Sequence, residues 1–81
     1  MSTRDTIIPK LRKLYLCRYG WNGGVQVCLY LGEQSDGYLV QKWRSNSGRW
    51  TQPVAIRKTD IVAKAVRSDL LKHRVTQMPQ A

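Results

Sequence analysis

The chain is expected to be mainly β: a small antiparallel, bent sheet of four to five strands, followed by a C-terminal amphipathic helix. Three observations lead there. Val25 to Ile56 reads as three consecutive strands separated by turns built from Gly, Ser, Asn and Asp. Leu14 to Tyr19 alternates in front of that block and supplies a further strand. Behind it, Ile61, Val62, Ala65, Val66 and Leu70 fall on one stripe at helical spacing, with Thr59 placed as N-cap and Asp60 in the first turn.

Taken in order, Met1 to Thr6 is polar and expected to be flexible. Thr6 to Leu14 reads either as a short helical turn with Pro9 in its first turn or as an extended arm leading into the first strand. Lys10, Arg12 and Lys13 form a basic cluster broken by Leu11 and Leu14, suited to a phosphate backbone or simply to solvent. In Leu14 to Tyr19, Leu14, Leu16 and Arg18 share one side, and Tyr15, Cys17 and Tyr19 the other. The loop that follows, Tyr19-Gly20-Trp21-Asn22-Gly23-Gly24, favours a tight turn at Asn22-Gly23. Trp21 at its tip either folds back over the sheet or stands as a stacking platform.

The central strands carry the register argument. Val25 to Leu31 puts Val25, Val27, Leu29 and Leu31 on one face, with Gln26, Cys28 and Tyr30 on the other, and Gly32 to Gly37 has the composition of a hairpin loop. Matching apolar faces pairs Leu31 with Leu39, Leu29 with Gln41 and Val27 with Trp43, and across Ser45 to Gly48 pairs Trp43 with Trp50 and Leu39 with Val54. An outer face then collects Tyr30, Tyr38, Val40, Lys42, Arg44, Arg49 and Thr51, with Arg44 directly opposite Arg49. Like charges so placed cost roughly 0.2 to 1 kcal/mol. An anion bound between them would remove that cost; splaying both guanidiniums into water would do so too.

Pro53 marks an edge or a bend near the end of the third strand. Beyond it, helix from Thr59 is the preferred reading. The competing one makes Thr59 to Ile61 a turn, Val62 to Val66 a fifth strand that closes a small barrel, and only Ser68 to Arg74 helix. Residues 75–81 read as a flexible tail.

Eighty-one residues make a single domain with one modest core. Ile7 and Ile8 stop at Pro9, too short for a signal-peptide core or a membrane span, so a cytoplasmic location is expected, nucleoid-associated if the ligand is DNA. Cys17 and Cys28 are too few for a disulfide framework and lack zinc-ligand spacing; both read as buried thiols, and no metal is expected. Fourteen Lys and Arg against five Asp and Glu give a net charge of +9, which draws polyanions.

Catalysis is poorly provided for, and neither enzyme activity nor a cofactor is expected. His73 is the lone histidine, and no nucleophile pairs with it. Asp5 falls in a tail, Glu33 and Asp36 in a turn, Asp60 and Asp69 at helix positions. What remains is a basic and aromatic surface with three Trp, four Tyr and no Phe. The expected function is non-enzymatic nucleic-acid binding, DNA ahead of RNA. Lys42, Arg44 and Arg49 would meet a duplex groove, Lys10, Lys13, Arg57 and Lys58 hold phosphates, and Tyr30, Tyr38 and Trp21 serve as contact aromatics. The alternative is a small basic adaptor or inhibitor docking on an acidic protein, and edge strands leave a homodimer open. The order of strands and turns is similar to SH3-like small barrels, such as those closing retroviral-type integrases, and to the sheet-plus-helix DNA-binding modules of phage-type integrases. No sequence motif of either is present, so the resemblance implies an SH3-like half-barrel and nothing about chemistry.

Overall fold

The computed structural model describes residues 8–19 and 24–79; Trp21 and its glycine loop lie outside the described residues, as do Met1 to Ile7 and Gln80 to Ala81. Six strands form, β1 (Leu14–Tyr19), β2 (Gly24–Gln34), β3 (Gly37–Arg44), β4 (Arg49–Trp50), β5 (Val54–Arg57) and β6 (Ile61–Lys64), then helix α1 (Arg67–Lys72). Every pairing is antiparallel, in the order β4-β3-β2-β1-β6, with β5 also on β3. Strands β4 and β5 are therefore two parts of one interrupted edge. A 3-10 turn over Lys58–Asp60 brings the chain back to β6 beside β1. No ladder joins β5 to β6 among the described residues, and the sheet stays an open, SH3-like half-barrel.

Three of the six expected pairs are present: Leu29 with Gln41, Trp43 with Trp50 and Arg44 with Arg49. The β2–β3 ladder ends at Cys28 with Lys42, one position short of Val27 with Trp43, and the other two are shifted. A bulge at Leu31 sets Gly32 opposite Leu39, and the loop over 51–53 holds one residue more than a regular strand, so that Ala55 faces Leu39 and Val54 faces Val40. The expected six-residue hairpin loop also shrinks to Ser35-Asp36, because Glu33 and Gln34 continue β2 and Ser35 takes the positive φ of 49°.

Alternation is read correctly from the sequence, but both faces turn out to be buried. The face enclosed by the bend holds Tyr15, Cys17, Cys28, Tyr30, Tyr38, Val40, Ile56 and Ile61. Tyr30, Tyr38 and Val40, expected outside, are 7%, 8% and 0% exposed. The opposite face buries Val27, Leu29 and Trp43, and the C-terminal segment lies over it: the indole N–H of Trp43 donates to the His73 carbonyl at 2.8 Å, that of Trp50 to the Gln77 carbonyl at 2.8 Å. Gln77, in the segment expected to be a flexible tail, is thus hydrogen-bonded to β4.

The preferred long helix is replaced by the competing strand. Ile61 and Val62 are β-branched and suit a pleated surface, and the outer side of β1 offers them backbone partners, with the Ala65 N–H donating to the Leu14 carbonyl at 3.2 Å. Asp60, read as a helix-start group, caps a turn, and so does Asp69, read only as a helix charge. Asp60 accepts the Arg57 N–H at 3.1 Å and Asp69 the Val66 N–H at 2.9 Å, leaving α1 only six residues long.

Gly37 opens β3 at a point where any Cβ would overlap the Ile56 carbonyl of β5. Gly37→Ala is expected to lower stability by about 1–3 kcal/mol in urea unfolding, since the obstacle is backbone. Gly48→Ala meets open space, and only its φ of 67° opposes the change, at a cost of about 1–2 kcal/mol.

Candidate nucleic-acid interface

On β3, Lys42 and Arg44 follow Tyr38 and Val40 on the enclosed face, and the β3–β4 register brings Arg49 beside them. Gln26 joins from β2, two residues before Cys28. The face that is an apolar core under β5 and β6 therefore continues toward the β3–β4 hairpin as a polar, cationic surface. One alternation produces both, and which part is covered depends on how far the sheet bends.

The hairpin is short but well held. The Gly48 N–H donates to the Arg44 carbonyl at 2.8 Å and closes the Ser45–Gly48 turn. Past the two residues of β4, Thr51 continues the match to β3: its N–H donates to the Lys42 carbonyl at 2.8 Å, its hydroxyl accepts the Lys42 N–H at 3.0 Å, and its carbonyl accepts from the Gln41 amide at 3.0 Å. Gln26 reaches across to the Trp43 carbonyl at 3.1 Å. Behind the arginines, Trp43 and Trp50 meet edge to face with centroids 5.3 Å apart. An aromatic pair of this kind contributes about 0.5–1.5 kcal/mol. That offsets the roughly 0.2–1 kcal/mol of repulsion between opposed like charges. Arg44 and Arg49 are thereby kept opposite each other, both exposed.

Lys58 is the one Lys or Arg among the described residues within 4.0 Å of a carboxylate, at 2.7 Å from Glu33. That hydrogen bond, with the Glu33 charge, raises the Lys58 pKa, and the ammonium also stands 5.7 Å from the centre of the Tyr38 ring. Lys58, expected as a phosphate-holding group, therefore enters any such contact only in competition with Glu33. Lys58→Met is accordingly expected to leave the salt dependence of DNA binding almost unchanged; a drop as large as that of a hairpin arginine would show that the Glu33 pair opens on binding.

The remaining expected residues divide by place. Lys10 and Lys13 flank a tight turn, with Arg12 at φ 63°, fastened to β2 through Arg12 N–H to Tyr30 carbonyl (2.9 Å) and Tyr30 N–H to Lys13 carbonyl (3.1 Å). Tyr30 is four residues along β2 from Gln26, roughly 13 Å at strand rise, so this turn is not part of the hairpin cluster. Tyr30 and Tyr38 are core: their rings meet edge to face at 5.2 Å, and burial pushes the Tyr30 phenol up. Neither presents a face for stacking, which corrects their assignment as contact aromatics. Lys42, half-buried, lines two open clefts. The first is shared with Gln26, Arg44, Asn46, Thr51 and His73; the second with Arg18, Arg57, Asp36 and Asp60. Arg18 and Thr51 were not among the expected site residues. Arg18 alternates away from the enclosed face, and only the end of the β1–β6 ladder gives it access to the cleft.

Cys17 and Cys28 lie diagonally across the β1–β2 ladder, both 0% exposed. A hydrogen bond between the thiols, with the Lys42 ammonium nearby, pushes Cys17 down, while the same bond and burial push Cys28 up. No helix among the described residues is long and apolar enough to cross a membrane. Comparison with known protein families, characterised proteins and solved structures finds no match.

Proposed function

We propose that this protein binds duplex DNA without catalysing a reaction, through the β3–β4 hairpin and the cationic end of the enclosed face, in the cytoplasm or at the nucleoid. The observation that carries the reading is Arg44 opposite Arg49, exposed, without a carboxylate partner among the described residues, and held in register by the tryptophans behind them. A two-stranded ribbon fits a major groove about 12 Å wide. Arginines at its tip reach base edges or flanking phosphates, Lys42 adds a phosphate contact, and Gln26 and Thr51 steady the strand that presents them.

Duplex is favoured over single-stranded nucleic acid at this surface because Tyr30 and Tyr38 are buried, leaving the hairpin face with charge but no stacking ring among the described residues. The test is binding of the full chain to a labelled random-sequence duplex across a salt series, with single-stranded DNA and RNA of equal length alongside. Log affinity should fall steeply with log salt, by about 0.9 per phosphate neutralised, and most strongly for duplex. Absence of binding at low salt overturns the proposal.

A further inference from the structure

The half-barrel leaves β5 and β6 unpaired, and the second cleft beside Lys42 forms a seam bounded by β5, the 3-10 turn and the end of β1. Its rim carries Arg57 and Ile56 from the β5 side, Arg18 from β1, and Asp36 and Asp60 from the turns. Arg18 stands one residue past the last β1–β6 pair, Cys17 with Ile61, where the 3-10 turn with Asp60 lies beside β1 in place of a paired strand. Among the described residues, Arg18, Lys42 and Arg57 have no carboxylate within 4.0 Å, and the Asp60 carboxylate is taken up by the Arg57 N–H.

Width decides what such a seam admits. From β5 to β1 is three strand steps, through β3 and β2, hence at most roughly 14 Å even in a flat sheet, and less once the sheet bends. Backbone and side chains on both sides narrow it further. A duplex, with a minor groove about 6 Å wide beside a major groove about 12 Å wide, is broader than the space between these edges; one strand is not. Lys42 lines this cleft and also the one beside the hairpin, so the two cationic surfaces are continuous.

We infer that the seam takes a single strand leaving the duplex held by the hairpin, so that the preferred partner is a junction between duplex and single-stranded DNA. This rests on the duplex-binding reading and adds to it the form of the ligand. Arg18, Lys42 and Arg57 meet consecutive phosphates of the strand, while Asp36 and Asp60 repel it from their side and so confine its path. The aliphatic Ile56 and the absence of an aromatic ring from the rim among the described residues make the seam indifferent to base identity.

The experiment compares the full chain on three labelled DNAs: a blunt duplex, and the same duplex with a thymidine overhang of about six nucleotides, on the 3′ end in one and the 5′ end in the other. One overhang should bind about tenfold tighter than the blunt duplex at low salt, with a log–log salt slope steeper by about 2, from three single-strand phosphates at about 0.7 each. Arg18→Glu, with Arg18→Ala in case the reversal impairs folding, should return the overhang to the blunt-duplex value. Equal binding of all three DNAs, or an overhang gain that survives both Arg18 variants, overturns the seam and leaves duplex binding standing. Failure of all three DNAs to bind removes the underlying reading itself.

Discussion

Arg44→Ala combined with Arg49→Ala should weaken duplex binding roughly 10- to 100-fold at low salt and reduce the log–log salt slope by about 2, one unit for each phosphate no longer neutralised. Folding should be undisturbed or slightly improved, because the pair is directly opposed and exposed, and removing it relieves roughly 0.2–1 kcal/mol of repulsion. The combination separates a ligand site from a structural one: affinity falls while the urea midpoint holds or rises. An affinity within twofold of the parent chain, measured in the same salt series, would show that the hairpin is not where DNA binds. If one arginine reads a guanine edge instead of a phosphate, its single variant should relax sequence preference by about 1–3 kcal/mol and alter the slope less than its neighbour does.

Trp43→Ala is expected to cost about 3–5 kcal/mol of stability, the range for deleting a buried aromatic side chain. Trp43 is 2% exposed, meets Trp50 edge to face, and ties the C-terminal segment to the sheet through the His73 carbonyl. For 81 residues the whole folding free energy is of the order of 4–12 kcal/mol, so this variant approaches the unfolding threshold. Trp43→Phe isolates the polar contribution. It keeps most of the ring but leaves the His73 carbonyl without its donor, which should cost about 1–3 kcal/mol and release the residues after α1 first, visible as faster amide exchange at Val75. A loss below 1 kcal/mol for the alanine variant would mean that the C-terminal segment does not depend on this indole.

Those two outcomes bear on what was legible in advance. Arg44 opposite Arg49 and Trp43 opposite Trp50 follow from sequence because Ser45 to Gly48 is a short turn, and a short turn sets register locally. The pairing around Leu39 did not follow. A bulge at Leu31 and an extra residue before Val54 each shift a ladder by one, and neither leaves a mark stronger than a glycine or a proline nearby. Lys58 looked like a free cation because Glu33 is 25 residues away in the chain; only the pairing of β5 on β3, beside β2, sets them 2.7 Å apart.

Residues 61–66 show the same limit from another side. Ile61, Val62, Ala65 and Val66 satisfy a helical stripe as well as a strand, and the local pattern leans to helix. The outer side of β1 settled the matter, by offering backbone partners that an isolated segment does not have.

The sequence by itself determined the mainly-β class, the position of β1, the alternation along β2 and β3, the hairpin that opposes two arginines, and a charge of +9 that no internal pairing could neutralise. These are short-range or additive properties. Tertiary structure alone decided which face is enclosed, because alternation separates two faces without saying which the bend will close over. It therefore decided that Tyr30 and Tyr38 are core, that the opposite face is covered by residues after α1, and that an unpaired seam remains beside Lys42. Each depends on curvature and on packing between segments far apart in the chain, where a one-residue bulge redirects everything after it.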